Sequence, residues 1–94
     1  MVTPEQIDKC IAVARRYGAT KLVLFGSAVY DAANACDIDL LCEGVKGGRF
    51  LSMGAEMENE TGIVVDTIQA DEPTPFVEYN MPKGRVLYAA IGTA

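Results

Sequence analysis

The order of apolar and polar residues divides the chain into short helices and short strands. Before Gly18 and before Gly62, apolar residues recur at helical spacing, which is typical of helices that bury one face and end at a glycine. Shorter apolar runs lie between these stretches, and they predict strands. The predicted helices cover residues 4–17, 27–33, 49–60 and 76–81, and the predicted strands cover residues 21–25, 37–42, 63–68 and 85–88.

Helices and strands alternate in this pattern, so we expect an α/β (α+β) fold in which helices pack on a short mixed sheet of three to four strands. The length of 94 residues fits a single domain that spans residues 1–94. Thr3, Pro4 and Gln6 predict a capped start of the first helix. The small residues at positions 89–94 predict a frayed end.

The composition narrows the class of protein. Half of the residues are apolar, so a folded core is expected. The net charge of −5 argues against direct DNA binding, which needs a basic surface. We expect no membrane segment, because the chain has neither a basic leader nor an apolar run of spanning length. Three cysteines without a C-x-x-C pair fit a reducing, cytoplasmic location better than a disulfide framework or a zinc site.

The most informative stretch joins the first two predicted strands. The apolar run 22–25 stops at Gly26-Ser27, and the next strand opens with Asp37 and Asp39. Alternate strand residues share a face, so these two carboxylates project together, roughly 6.5–7 Å apart. A divalent cation compensates such a pair, and Gly26-Ser27 suits a phosphate that approaches the backbone. A phosphate-binding turn and paired carboxylates are the minimum that metal-assisted phosphoryl or nucleotidyl transfer requires. The alternative role for Asp37 and Asp39 is loop capping or a structural salt bridge.

A third carboxylate, Asp66, interrupts the β-branched run of the third predicted strand. A central strand rarely tolerates a lone carboxylate without a partner. Asp66 is therefore a candidate to join the first two aspartates, and the alternative is a position at the end of the strand that faces solvent.

The combination of these motifs resembles the DNA polymerase beta-like nucleotidyltransferase superfamily, and the short chain resembles its minimal nucleotidyltransferase (MNT) branch. Members carry a Gly-Ser turn, a spacer of about this length, Asp-x-Asp and a third carboxylate on a later strand. Minimal members often end in Gly-Arg-Val-Leu-Tyr, as residues 84–88 do. The resemblance covers nearly the whole chain and implies a nucleotidyltransferase-type sheet. The residues that match the family pattern are Gly26, Ser27, Asp37, Asp39 and Asp66.

The resemblance also implies an enzyme that transfers a nucleoside monophosphate, AMP from ATP in the first instance, to a hydroxyl group. Asp37, Asp39 and Asp66 would be catalytic residues and ligands of Mg²⁺ or Mn²⁺, with Asp66 on only one of two ions. Gly26 and Ser27 would bind the β- and γ-phosphates of the nucleoside triphosphate. No histidine is present, so Asp66 or a metal-bound water would take the proton of the acceptor.

A chain this small has little room for an acceptor site of its own. The resemblance therefore implies a HEPN-type toxin as protein partner, modified by this chain as its antitoxin on a tyrosine, serine or threonine hydroxyl. Two alternatives stay open: a non-catalytic antitoxin of the same fold that acts by contact, and a small-molecule nucleotidyltransferase, although those enzymes usually carry an additional helical domain. A homo-oligomer is a further option, since Val29, Tyr30, Phe76 and Tyr88 stand at predicted element ends.

The chain departs from the resembled pattern just after Gly26-Ser27. Relatives commonly place an arginine there and a glycine a few residues later, but residues 28–31 read Ala-Val-Tyr-Asp. Cys36 stands where a serine is common. The absence of the arginine weakens the electrostatic stabilisation of a bound triphosphate. Tyr30 fits stacking on a base and packing on a partner equally well.

Overall fold

A four-stranded sheet with helices packed on it makes up the structure, a computed structural model that describes residues 1–90. The helices are α1 (Pro4–Arg16), α2 (Ser27–Tyr30), α3 (Gly47–Thr61) and α4 (Pro75–Asn80), and a 3-10 turn covers Met81–Lys83. The strands are β1 (Lys21–Phe25), β2 (Asp37–Glu43), β3 (Val64–Gln69) and β4 (Arg85–Ala89).

The sheet is mixed and has the strand order β3-β2-β1-β4. Strand β1 pairs antiparallel with both β2 and β4, whereas β2 pairs parallel with β3. Helix α3 makes the crossover that a parallel pair requires. The expected mixed sheet of three to four strands is confirmed, and β3 and β4 are its two edges.

The start of α1 confirms the predicted helix cap. The Gln6 amide donates a hydrogen bond to Thr3 Oγ1 at 3.2 Å, and the Thr3 amide donates one to Gln6 Oε1 at 2.9 Å. This capping box satisfies two backbone amides at the helix end, and Pro4 occupies a position where no amide is needed. Local sequence alone therefore fixes where α1 begins.

Helix α2 is shorter than predicted and ends at Tyr30 rather than near residue 33. Asp31 leaves the helical conformation, with φ −152° and ψ 71°. Its carbonyl then accepts the amides of Asn34 at 3.2 Å and Ala35 at 3.0 Å, which makes a turn instead of a further helical turn. The turn returns the chain to the sheet at the start of β2.

The other boundaries that differ from the prediction do so by one or two residues. Helix α3 starts at Gly47 rather than residue 49, because Lys46 is the last extended residue before it. Ala89 belongs to β4, where it pairs with Lys21, and is not frayed. The expected frayed end at positions 91–94 lies outside the described residues. No helix within residues 1–90 is both long and apolar enough to cross a membrane.

The two faces of the sheet are covered unequally. Helices α1 and α3 cover one face, and Met53 and Met57 of α3 are fully buried there in the main core. Helix α4 covers part of the opposite face, where it builds a second, smaller cluster. The buried members of that cluster are Val23, Phe25, Leu41, Ala70 and Val77. The rest of this second face is free to carry polar residues.

Candidate active site

Strands β2 and β3 carry three aspartates to the open part of the second sheet face. Ile38 and Leu40 are fully buried in the main core, so Asp37 and Asp39 point to the other side. In the parallel register Asp39 lies directly beside Asp66 of β3. Each of the three side chains offers one carboxylate oxygen, and these oxygens lie within 4.8 Å of one another. We call Asp37, Asp39 and Asp66 the aspartate cluster.

The position of Asp66 differs from the one expected in one respect. Strand β3 is an edge strand, not a central one, and Asp66 is exposed while Asp37 and Asp39 are half-buried. An edge strand tolerates a charged side chain more easily than a central strand does. The prediction that Asp66 lies on a central strand was therefore wrong, although Asp66 does lie beside the strand that carries Asp37 and Asp39.

The Gly-Ser turn packs directly against the aspartate cluster. Gly26 adopts φ 78° and ψ −157°, a conformation that is essentially restricted to glycine. A Cβ atom at Gly26 would overlap Asp39 Oδ2 and lie 3.3 Å from Asp39 Cγ. The absence of a side chain thus lets the backbone touch the carboxylate. Ser27 follows as the first residue of α2 and is exposed beside this contact.

Electrostatic repulsion within the cluster is not relieved by a basic side chain. Among residues 1–90, the lysines and arginines make no ion pair with these three carboxylates; the ion pairs there join Arg16 to Glu56 and Glu60. Partial burial, together with the charges of Asp37 and Asp66 and a hydrogen bond with Asp66, raises the pKa of Asp39 from 3.8 to about 6. A carboxylate held in this way is a strong candidate for a cation ligand.

The donor set of the cluster fits a hard divalent cation. Mg²⁺ takes oxygen ligands at about 2.0–2.1 Å, so opposite ligands on one ion are about 4.2 Å apart. The oxygens of the cluster lie within 4.8 Å of one another, and small side-chain rotations would therefore bring them onto an ion. Three carboxylates suit Mg²⁺ or Mn²⁺, which prefer oxygen to nitrogen or sulfur.

The cysteines do not extend the site. All three are free thiols, and burial raises the pKa of Cys10 and of Cys42 to about 11, which makes them poor nucleophiles. Cys36 is exposed next to Asp37. Tyr30 is the last residue of α2 and is 72% exposed, so its two predicted uses, stacking on a base and packing on a partner, stay predictions.

Two phenylalanines that the sequence analysis did not assign to the site lie beside the cluster. Phe25 is the register partner of Asp39 in the pairing of β1 with β2. The ring of Phe76, at the start of α4, meets the Phe25 ring edge-on at 5.6 Å between centroids, with an interplanar angle of 81°. Phe76 was predicted only as an apolar residue at an element end, and no local signal in the sequence connects it with Asp39.

Asp66 is the member of the aspartate cluster that is exposed to solvent. Three cavities of about 400, 350 and 590 Å³ lie elsewhere, and none of them is lined by a residue of the cluster or by the Gly26-Ser27 turn. The first of these cavities opens between the start of α1 and Arg85. A substrate can reach Asp66 directly from solvent at the edge of the sheet.

The fold is similar to that of a solved structure, a mutant form of the toxin–antitoxin complex MntA–HpeT, with a TM-score of 0.74. The match covers 93% of this chain and 75% of the other chain at 14% sequence identity. That complex carries two Asp-to-Glu substitutions at positions two residues apart. No protein-family model matches this chain, and no curated protein matches it in sequence. A likeness at this identity establishes the fold, and the predicted α+β architecture is confirmed.

Proposed function

We propose that this protein is a metal-dependent nucleotidyltransferase that transfers a nucleoside monophosphate, AMP from ATP in the first instance, to a hydroxyl group of a protein partner. One observation carries the proposal: three carboxylates meet against a Gly-Ser turn, and no lysine or arginine among residues 1–90 pairs with them. A structural salt bridge is thereby a poor explanation of the cluster, whereas a cation is a good one.

Each residue has a definite role in this proposal. Asp37 and Asp39 would hold Mg²⁺ or Mn²⁺, which when bound stabilises the charge of the triphosphate and of the leaving pyrophosphate. Gly26 would let the phosphates approach the backbone, and the Ser27 hydroxyl would donate a hydrogen bond to one of them. Asp66, the exposed member of the cluster, would help Asp37 and Asp39 to hold the metal, and either Asp66 or a water molecule would accept the proton of the acceptor hydroxyl. That oxygen then bonds to the α-phosphorus as the bond to pyrophosphate breaks.

The open position of the site supports a macromolecular acceptor. A hydroxyl on a protruding loop of another protein could reach Asp66 at the sheet edge without entering a cavity. The fold is similar to that of a chain from a toxin–antitoxin complex, and the spacing of the two substituted aspartates in that complex equals the spacing of Asp37 and Asp39. We therefore propose that the acceptor belongs to a toxin, of the HEPN type that the sequence motifs imply, and that the three free thiols belong to a cytoplasmic protein.

The first experiment is calorimetric titration of ATP into the protein with and without Mg²⁺. The test variant is Asp37→Asn/Asp39→Asn, and a matched control, Asp8→Asn/Glu72→Gln, removes two exposed carboxylates elsewhere. We expect the wild-type protein and the control to bind ATP only when Mg²⁺ is present, and we expect the test variant not to bind it. Transfer of labelled AMP to a co-purified partner would then establish the acceptor. If the wild-type protein binds no ATP at millimolar concentration and labels no partner, the proposal fails.

A second candidate function is an antitoxin that acts by contact alone. Residues 28–31, Ala-Val-Tyr-Asp, favour it, because they offer a triphosphate no basic side chain directly after the Gly26-Ser27 turn. The two candidates differ in one outcome. The enzyme requires that Asp37→Asn/Asp39→Asn fold normally and yet fail to protect cells from the toxin, whereas the contact mechanism requires that the same variant still protect.

A further inference from the structure

The ring of Phe76 stands at the border of the aspartate cluster. Phe25 is the neighbour of Asp39 across the β1–β2 ladder, and directly opposite residues in an antiparallel pair lie only about 4.5–5.5 Å apart. The Phe76 ring rests edge-on against Phe25 at 5.6 Å. Phe25 is thus the cross-strand neighbour of Asp39 and at the same time contacts the Phe76 ring, which connects Phe76 to the cluster through one side chain.

Helix α4 holds Phe76 in this position. The Val77 amide donates a hydrogen bond to Thr74 Oγ1 at 3.2 Å, and Pro75 begins the helix. Val77, the next residue along, is buried in the second core cluster. Capping and burial fix the first turn of α4 on the sheet, so the orientation of Phe76 is set before any ligand arrives.

Phe76 is nevertheless 48% exposed, although a phenylalanine gains by complete burial. A single exposed apolar residue needs no explanation by itself. Two tyrosines are more exposed still, but Tyr79 has the Lys83 ammonium over its ring, and Tyr30 makes no aromatic pair within residues 1–90 that would hold its ring. What sets Phe76 apart is a rigid support, a free part of the ring and a position beside the proposed phosphate site.

We propose that Phe76 is the platform on which the nucleobase of the bound nucleoside triphosphate stacks. This inference rests on the proposed function, because the triphosphate at the aspartate cluster brings the base to Phe76. Every base presents a π-face, so stacking on an aromatic ring tolerates any base. The proposal therefore implies that purine triphosphates bind with similar affinity, and that the ring, rather than a hydrogen-bonding pocket, retains the base.

The test separates the base from the phosphates. Binding of Mg²⁺-ATP and of Mg²⁺-tripolyphosphate, which has no base, is measured by calorimetry on wild-type protein, Phe76→Leu and Phe76→Tyr. Leucine keeps an apolar side chain against Phe25 but removes the π-face, and tyrosine restores it. Tyr79→Leu is the matched control, because it removes an exposed aromatic ring from the same helix. Circular dichroism verifies that each variant is folded.

We expect Phe76→Leu to weaken Mg²⁺-ATP binding roughly tenfold and to leave tripolyphosphate binding unchanged, with near wild-type ATP binding in Phe76→Tyr and Tyr79→Leu. The inference is overturned if Phe76→Leu weakens both ligands equally or neither, while wild-type protein still binds both; the proposed function survives that result. If the wild-type protein binds neither ligand with metal, both proposals fall together.

Discussion

Replacing Asp39 by asparagine should stabilise the metal-free protein at neutral pH. Asp39 has two acidic neighbours and no basic partner among residues 1–90, and its pKa is raised from 3.8 to about 6. The folded protein therefore holds a proton between pH 4 and pH 6 that the unfolded chain has already released. Stability falls as pH rises through this window, and above it Asp39 lowers the free energy of unfolding. Asparagine has nearly the same shape and lacks the charge.

The size of this effect follows from the pKa. Each tenfold change in proton affinity corresponds to about 1.36 kcal/mol. The rise in the pKa of Asp39 from 3.8 to about 6 would therefore lower the free energy of unfolding by at most about 3 kcal/mol. Asp39 is only half-buried, so solvent screening reduces this figure, and we expect about 1 kcal/mol in the free energy of unfolding at pH 7. At pH 4 the difference between Asp39→Asn and the wild-type protein should nearly vanish.

Urea unfolding followed by far-ultraviolet circular dichroism measures these differences, since the chain has no tryptophan. The samples contain a chelator, and Asp8→Asn, which alters an exposed carboxylate on α1, controls for loss of charge alone. Millimolar Mg²⁺ should reverse the order, because a ligand of the native state adds stability that grows with the logarithm of its concentration relative to its Kd. The reasoning is refuted if Asp39→Asn is less stable than the wild-type protein in chelator at pH 7, or if the difference persists unchanged at pH 4.

Three further predictions concern the same molecule. Gly26→Ala should cost about 1–3 kcal/mol of stability, because alanine disfavours this backbone conformation and its Cβ would overlap the Asp39 carboxylate; urea unfolding and metal titration would both reveal it, and an unchanged metal affinity would contradict the contact. Mg²⁺ affinity should fall about tenfold per pH unit below pH 6, because Asp39, with a pKa of about 6, must lose its proton to bind metal; a flat profile from pH 5 to pH 7 in calorimetry would contradict this. Met57→Ala should cost about 2–5 kcal/mol in thermal or urea unfolding, because the side chain is fully buried; a loss below 1 kcal/mol would argue against the buried position.

The elements of this fold could be predicted because their signals are local. The cap formed by Thr3 and Gln6, the apolar run that ends at Gly26 and the paired aspartates of β2 each act within a few residues, and the structure places all of them as expected. Helix α2 was overestimated because the turn at Asp31 is decided by two backbone hydrogen bonds, which composition does not reveal.

The arrangement of the site depends on contacts between distant segments. Nothing in the residues around Asp66 indicates that its strand lies at the sheet edge, since strand order follows from how the whole chain packs. The same holds for Phe76, which reaches Phe25 only because α4 packs on the second face of the sheet, on the way from β3 at one edge to β4 at the other. Types of residue and their spacing predicted which aspartates could meet, whereas the exposure of each one required the fold.

Strand β3 lies at the edge of the sheet and carries Asp66. The aspartate cluster is therefore complete only while this edge strand is paired with β2. Strand β3 is held by a single ladder to β2 and by contacts with α3, among them the hydrogen bond from the Val65 amide to Glu58 Oε2 at 3.0 Å. Edge strands open locally at less cost than the whole domain unfolds. Repulsion between Asp39 and Asp66 pushes this strand outward, and a shared cation would draw it back. Amide hydrogen exchange in β3 should then slow when the metal binds, because the ion would hold the edge strand against β2.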